Sequence, residues 1–463
     1  MQRLRPSAGF SLIELLVSMA VLLVTLSIVF YFFIDTGRRF KSETAGLDMQ
    51  LAARIAIDEL SRELPQTGYG IDRSSPYNEA AWQKGVIYAG AHAIACNMDI
   101  DPAVGPIDGS QSMTFPTGET YTGEGPTATV AGAETYVYSL DADGDGTIDL
   151  ADRSAFETGS FNPAATTDNP LDFALFRRVY GYDGSAYVKQ VDPIVAHLFT
   201  NAVSGVAYAD STIPEPLFNY SLTEDLNGNN ILDTGECVND SVDACPPVTT
   251  RTPLLYIWGD TNFDGLLSDA EKNQLRGMPV GAVGWSKNRL VESGAYKQTT
   301  LASAVNPADA DAYILDVAAA GKFIPGVLIQ VGAGAGAERF VVESINTSST
   351  PNTVTVTTDP TLAQANGAAV QVVADTLLRA IRAVQINFTA ISPRKDSAGG
   401  AAPVGQAGRR TAHGMDYRSM TLRKTVELPN QTMAGLVAAD TTHGLWGLYP
   451  AGFAVLVALI PVF

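Results

Sequence analysis

Residues 10–34 read FSLIELLVSMAVLLVTLSIVFYFFI and contain a single charged side chain, that of Glu14. At a rise of about 1.5 Å per residue, a helix of this length crosses a hydrocarbon layer about 30 Å thick. Residues 1–9 (MQRLRPSAG) are charged only at Arg3 and Arg5, and no small-residue cleavage site follows the apolar run. The sequence therefore predicts a retained membrane-spanning helix, with any cleavage before it rather than after it.

The stretch GFSLIELL, which begins at Gly9, resembles the processing motif of type IV prepilins. The resemblance implies that a prepilin peptidase cuts after Gly9, that the new N-terminal residue Phe10 is methylated, and that Glu14 is the glutamate retained at the fifth position of the mature chain. A carboxylate in hydrocarbon is costly unless it has a partner, and the N-terminal amine of a neighbouring subunit is such a partner. The alternative is a plain signal anchor that happens to contain a glutamate.

The helical pattern continues beyond the span as far as Pro65, which is a helix stop. Apolar residues recur there at spacings of three and four, with charged residues between them. They are Leu47, Leu51, Ile55, Ile57, Leu60 and Leu64. One helix about 80 Å long is expected over residues 10–64, with residues 35–66 in the periplasm and packed against a globular head.

Residues 67–430 are rich in Gly, Pro, Ser, Thr, Asn and Asp, broken by short β-branched runs. This pattern is typical of antiparallel strands joined by long loops. The expected fold class is therefore α+β, with a long N-terminal pilin helix on an antiparallel, β-rich globular head. Residues 62–70 (RELPQTGYG) and two closing strands, 377–390 and 417–428, are similar to those of PilW-like minor pilins.

A typical pilin head is much smaller than this segment, so large insertions are expected. One is residues 141–276, which contain oxygen-rich loops, and the other is a β-rich insertion at residues 295–375. Residues 431–463 form an apolar C-terminal tail, whose prolines disfavour an unbroken second span. The tail is expected to dock on the head or on a partner, and an altered reading frame explains it equally well.

Three 12-residue segments match the EF-hand calcium loop, which supplies oxygens at positions 1, 3, 5, 7, 9 and 12 and has glycine at position 6. The first loop is residues 141–152 (DADGDGTIDLAD), the second is residues 225–236 (DLNGNNILDTGE), and the third is residues 260–271 (DTNFDGLLSDAE). The third fills every position. The second has asparagine at position 6, and the first ends in aspartate, whose shorter side chain reaches an ion less well.

Hard oxygen ligands without histidine or thiolate favour Ca²⁺, so up to three calcium ions are expected. The alternative is that these residues mark solvated turns. The predicted ligands of the first loop are Asp141, Asp143, Asp145, Thr147, Asp149 and Asp152. Those of the second are Asp225, Asn227, Asn229, Ile231, Asp233 and Glu236. Those of the third are Asp260, Asn262, Asp264, Leu266, Ser268 and Glu271.

Charge and cysteine content narrow the function classes. The net charge of −19 argues against nucleic-acid binding, because phosphate contacts need Lys and Arg. The histidines fit no metal-binding or triad spacing, and no phosphate-binding loop or nucleophile elbow is present, so no enzymatic activity is expected.

In an oxidising compartment, Cys237 and Cys245 could form a disulfide just after the second loop, leaving Cys96 free.

These features predict a minor type IV pilin, a low-copy subunit that acts in pilus assembly or initiation at or near the filament tip. Its expected partners are other pilins, through the N-terminal helix, and the prepilin peptidase. The protein would be a single-pass inner-membrane protein with a periplasmic head before assembly, and part of the pilus at the cell surface afterwards. Two alternatives are a minor pseudopilin of a type II secretion system and an adhesive, ligand-binding tip module for cell adhesion.

Overall fold

The computed structural model describes most of the helix and of the head. The described residues are 11–71, 83–107, 110–123, 132–149, 152, 173–185, 187–200, 213, 215–226, 255–262, 264–282, 291–292, 295–373, 375–391, 409–412 and 415–429. Several predicted features lie outside them: Gly9, Phe10, Asn227, Asn229, Ile231, Asp233, Glu236, Cys237, Cys245 and the tail 431–463.

The described helices are α1 (Leu12–Glu63), α2 (Asp269–Leu275) and α3 (Asp375–Arg379). Helix α1 is continuous over 52 residues, close to the predicted bounds. It begins with a capping box, in which Ser11 N–H donates to Glu14 Oε2 at 3.0 Å and Ile13 N–H donates to Ser11 Oγ at 3.3 Å. It ends before Pro65, where residues Leu64–Gln66 tighten into a 3-10 turn.

The strands are numbered in chain order. The first nine are β1 (Val86–Ala89), β2 (Ala93–Met98), β3 (Ser112–Thr114), β4 (Thr120–Thr122), β5 (Glu134–Ser139), β6 (Phe173–Tyr182), β7 (Tyr187–Leu198), β8 (Phe218–Thr223) and β9 (Leu255–Ile257). The others are β10 (Val291–Glu292), β11 (Ala295–Tyr296), β12 (Gln298–Thr300), β13 (Ile314–Val317), β14 (Leu328–Val331), β15 (Glu338–Asn346), β16 (Asn352–Val356), β17 (Ala369–Val372), β18 (Ile381–Ile391), β19 (Arg409–Ala412) and β20 (Met415–Glu427).

Ten strands form one large antiparallel sheet in the order β1-β2-β5-β6-β7-β18-β20-β19, with β8 also on β18 and β9 on β8. The α+β class predicted from the sequence is confirmed. Strands β6 to β9 lie within residues 141–276 and pair with strands on either side of that segment. The predicted insertion 141–276 therefore contributes four strands to the large sheet. The predicted strand 377–390 also begins later, because its first residues belong to α3.

Six further strands form a second sheet in the order β12-β17-β14-β15-β16-β13, within residues 298–372. A bridge between Leu301 and Val317 joins its two edges, supported by the backbone hydrogen bond from Ala302 N–H to Asp316 O at 2.8 Å. The sheet thus closes into a small barrel filled with apolar side chains. Strands β12 and β17, where the chain enters and leaves the barrel, are hydrogen-bonded neighbours.

The large sheet is covered on both faces. Alternating side chains of β2 and β5 divide between two apolar clusters, as the period of a strand requires. Cys96 and Tyr138 belong to the cluster that contains the end of α1, whereas Ala95 and Val137 belong to a cluster with the β3–β4 hairpin. The helix and the hairpin therefore pack on opposite faces of one sheet.

Candidate functional sites on the helix and in the loops

The first half of α1 is an apolar rod that the described residues of the head leave exposed. Residues Leu12–Gly37 are long and apolar enough to cross a membrane, and none of this stretch is buried. The Thr25 and Ser27 hydroxyls each donate to a carbonyl one turn earlier in the helix at 2.8 Å. Their polar hydrogens are thus satisfied within the helix, as a lipid environment demands.

The second half of α1 has two apolar faces, of which the head covers one. Ala53, Ala56 and Leu60 are fully buried against the large sheet. A second stripe, here called the outer stripe, consists of Leu47, Leu51 and Ile55, which are 64%, 60% and 56% exposed. Because these three residues lie about one turn apart on one face, the helix carries an apolar surface that the described part of the head leaves uncovered. The expectation that they pack against the head is therefore corrected.

A polar cluster fixes the end of α1 to the large sheet. Arg177 of β6 reaches Glu59 Oε1 at 3.2 Å and also pairs with Glu63. Its other terminal nitrogen lies 2.9 Å from Asp192 Oδ2 on β7. Tyr138 of β5 donates a hydrogen bond of 2.5 Å to Glu63 Oε2. Sequence reasoning missed this cluster, because Arg177 lies more than a hundred positions from Glu59 and Glu63, and only the order of the strands brings them together.

The third loop is held between β9 and α2 by its own backbone. Gly265 N–H donates to Asp260 Oδ2 at 2.8 Å, and Gly265 has the positive φ of 80° that favours glycine at this sharp turn. The other oxygen, Asp260 Oδ1, is buried and has no hydrogen-bond partner within the described chain, in a residue 3% exposed. Such an orphaned carboxylate oxygen requires an explanation, since leaving it unpaired costs free energy.

Glu271, at position 12 of the third loop, turns back towards its beginning. Oε1 accepts Thr261 N–H at 2.6 Å, and Oε2 accepts Ser268 N–H at 2.9 Å. Burial acts to raise the pKa of Glu271, but the hydrogen bonds from Thr261 and Ser268 outweigh it and lower the pKa to about 2. The carboxylate is therefore ionised across the physiological range. Ser268 also caps α2, which begins inside the loop.

The first loop folds in a related way after β5. Asp141 Oδ2 accepts Gly146 N–H at 2.9 Å, matching the bond from Gly265 in the third loop. Carboxylate oxygens of Asp141, Asp143 and Asp145 lie within 4.8 Å of one another. Asp152 closes the loop by accepting Ala142 N–H at 2.6 Å, and burial raises its pKa to about 7. This arrangement brings the predicted ligands together but leaves Asp152 partly protonated at neutral pH.

The loops do not follow a helix-loop-helix plan. The first, second and third loops begin two to three residues after β5, β8 and β9, so each is preceded by a strand. A helix follows the third loop, as Asp269–Leu275. Of the second loop the structure describes Asp225 and Leu226, and Asp225 is buried. The spacing of Asp, Asn and Gly thus predicted the oxygen-rich loops. It did not predict that a strand of the large sheet precedes each of them.

Comparison with known proteins bears on the N-terminal segment. Residues 4–30 match the family described as the prokaryotic N-terminal methylation motif. No curated protein and no solved structure gives a significant match. The match confirms the resemblance of the first residues to type IV prepilins, and it covers a small part of the chain. The protein thus carries the N-terminal methylation motif of type IV pilin-like proteins on a helix long and apolar enough to cross a membrane.

Proposed function

We propose that this chain is a PilW-like minor type IV pilin, a low-copy structural subunit that helps to start pilus assembly at or near the filament tip. The observation that carries the proposal is the apolar surface of α1. It has two parts, the exposed first half, Leu12–Gly37, and the outer stripe, which the mostly polar residues 38–46 separate. The helix thus has more apolar surface than one membrane crossing uses. A bundle of neighbouring pilin helices would bury that surface.

The size of the head supports a tip or initiation role. A ten-stranded sheet and a six-stranded barrel sit on one helix. In a shaft built from closely spaced copies, heads of this size would collide, whereas a subunit at the end of a filament has room. The proposed role is structural, because the apolar helix serves anchoring and packing.

Processing and location follow from the same proposal. A prepilin peptidase would cut after Gly9, and Phe10 would become the methylated N terminus of the mature chain. Before assembly the protein would cross the inner membrane once, with its head in the periplasm. After assembly the head would stand on the pilus at the cell surface.

The test is the effect of deleting the gene on pilus number and on secretion, combined with a search for the tagged chain in sheared pili. We expect few pili in the deletion strain and a small amount of the tagged chain in the sheared fraction, with Phe10 at its N terminus. Normal pilus number, with the chain missing from sheared pili, would overturn the proposal. If protein secretion is lost instead, the chain is a pseudopilin of a type II secretion system.

We further propose that the third loop binds Ca²⁺ and thereby stabilises the head, with weaker binding in the first loop and a further site in the second. The support is Asp260 Oδ1, which is buried, unpaired and part of a ligand set of hard oxygens. Asp260, Asn262, Asp264, Ser268 and Glu271, with the Leu266 carbonyl, would hold the ion. A bound Ca²⁺ supplies positive charge that pairs with these oxygens and adds its binding free energy to the folded state.

Thermal melting of the full chain in an uncharged detergent, with added Ca²⁺ or with a chelator, tests this proposal. We expect Ca²⁺ to raise the melting temperature, and Asp260→Asn to remove most of the increase. Asp309→Asn, at an exposed position outside the loops, is the matched control and should respond like the wild type. A melting temperature that neither Ca²⁺ nor the chelator changes would remove the metal assignment.

A further inference from the structure

A polar cleft lies on the face of the large sheet that points away from α1. Successive side chains of β6 alternate, so Arg177 faces the helix and Arg178 faces the opposite side. The β3–β4 hairpin covers that side and leaves a cleft of about 180 Å³ between itself and the sheet. The polar side chains that line it belong to Ser112, Thr114, Ser139, Asp141, Arg178 and Tyr180.

Arg178 is the unusual member of this lining. The residue is 3% exposed, and its Nη2 is buried without a hydrogen-bond partner in the part of the chain that the structure describes. A guanidinium group stays charged and carries five N–H donors, so taking it out of water without an acceptor is costly. Its neighbour Arg177, by contrast, is paired with three carboxylates. The cleft therefore offers a positive charge and a guanidinium N–H group that has no acceptor among the described residues.

Asp141 lies at the same cleft but does not satisfy Arg178. Its two oxygens accept backbone N–H groups instead, from Gly144 at 2.5 Å and from Gly146 at 2.9 Å. Asp141 and Arg178 line the same cleft, so the carboxylate places negative charge beside the guanidinium group. An acidic neighbour disfavours a doubly charged anion such as phosphate or sulfate. It leaves a singly charged anion as the better match to one guanidinium.

Ser139 adds a second donor at the floor of the cleft. Its Oγ accepts Asp141 N–H at 3.0 Å, and this bond leaves the hydroxyl hydrogen available to an oxygen of a ligand. Ser112 and Thr114 at the rim are exposed, so the cleft is open to solvent on the hairpin side. At roughly 30 Å³ per water molecule, the cavity holds about six waters, enough for a planar carboxylate and a few attached atoms.

We propose that the cleft binds the carboxylate group of a small, singly charged ligand, with Arg178 as its bidentate partner and Ser139 as a further donor. Guanidinium and carboxylate groups pair through two parallel hydrogen bonds, which a lysine cannot reproduce. The carboxylate can belong to a peptide C terminus or to an acidic sugar, and both present the same planar group to Arg178. Either source would make the head a recognition module in addition to a structural one.

Isothermal titration calorimetry on the full chain, in an uncharged detergent, tests the proposal. The probes are N-acetylglycine for a peptide C terminus and galacturonate for an acidic sugar, with N-acetylglycinamide and galactose as their neutral counterparts. We expect at least one carboxylate to bind and both neutral probes to fail. Which carboxylate binds identifies the source. Arg178→Met should weaken binding at least about tenfold, and Arg54→Met, an exposed arginine on α1, should leave it unchanged.

Arg178→Lys is the second variant, because it keeps the charge and so protects folding if the methionine variant fails to fold. We expect several-fold weaker binding from it, with a melting temperature like that of the wild type. The proposal is overturned if no carboxylate binds to the folded wild type, or if a folded Arg178 variant binds as tightly as the wild type. Equal affinity for the charged and neutral probes would also overturn it.

Discussion

The hydroxyl of Tyr138 donates a 2.5 Å hydrogen bond to Oε2 of Glu63, tying strand β5 to the last turn of α1. Arg177 holds the other oxygen of the same carboxylate. Both oxygens of Glu63 are thus bound by the sheet, and apolar packing of Leu60 and Ala56 surrounds this junction. The direction in which the helix leaves the head therefore depends on a polar cluster as well as on apolar burial.

The first prediction concerns Arg177→Met. This change leaves three partly buried carboxylates without their shared cation, so we expect the free energy of unfolding to fall by about 2 kcal/mol. Urea denaturation of the full chain in detergent measures it. Arg423→Met is the control, because Arg423 is half exposed and its ion pair with Glu215 should contribute less than about 1 kcal/mol. Equal losses in the two variants would contradict the role given to Arg177.

The second prediction separates the two apolar faces of α1. Leu60→Ala removes a fully buried side chain and should lower the free energy of unfolding by about 2–5 kcal/mol. Leu51→Glu changes a side chain that is 60% exposed, and should change that free energy by less than about 0.5 kcal/mol. In cells, we expect Leu51→Glu to be folded yet missing from sheared pili. Its recovery in pili at the wild-type level would show that the outer stripe has no partner.

The third prediction rests on two carboxylates that hold the same loop position but have oppositely shifted pKa values. Burial raises the pKa of Asp152 to about 7, whereas the pKa of Glu271 is lowered to about 2. Without calcium, Asp152 is therefore protonated in the folded chain between about pH 4 and about pH 7. In the unfolded chain it has already lost this proton over the same range. The contribution of Asp152 to stability falls as the pH rises through that range. The contribution of Glu271 is complete above its usual pKa and is lost only as the pH falls towards about 2.

Melting curves in chelator, from about pH 4.5 to about pH 7.5, measure this difference. We expect Asp152→Asn to be less sensitive to pH than the wild type across this range, because it removes one group that destabilises the fold as the pH rises. Glu271→Gln should keep the pH slope of the wild type at a lower melting temperature. An unchanged slope in Asp152→Asn would show that Asp152 titrates near its ordinary value.

The fourth prediction concerns Asp375, which joins the barrel to the large sheet. Its carboxylate lies 2.8 Å from Arg339 of the barrel strand β15 and 2.9 Å from Lys84, just before β1. Asp375→Asn removes the charge that both cations share, and should lower the free energy of unfolding by roughly 1–3 kcal/mol. In this variant, we expect backbone amides at the contact between the barrel and α3 to exchange faster than in the wild type, and amides elsewhere in the head to change less. Exchange that rises equally over the whole head would contradict a local role.

The sequence predicted the parts of the fold that depend on near neighbours. The apolar run and Pro65 set the bounds of α1 to within a few residues, and the spacing of Asp and Gly located the turns of the first and third loops. These features need only local geometry, such as helix rise and the backbone angles of a tight turn.

What depends on distant pairing could not be predicted. The outer stripe and the buried face of α1 are both apolar and both have helical spacing, and only the position of the sheet decides which of them is covered. From the sequence alone, Arg177 and Arg178 are two neighbouring cations that cannot be told apart. The alternation of β6 sends one to the helix and the other into the cleft, where their surroundings give them different roles.

The barrel has one further consequence, for the way in which heads of this kind change in evolution. The chain enters it along β12 and leaves it along β17, and Gln298 lies opposite Gln371 on these paired strands. A segment whose two ends are neighbours can be removed, duplicated or replaced by another without separating the chain ends that remain. The barrel can therefore be exchanged for another fold in evolution while α1 and the large sheet stay the same.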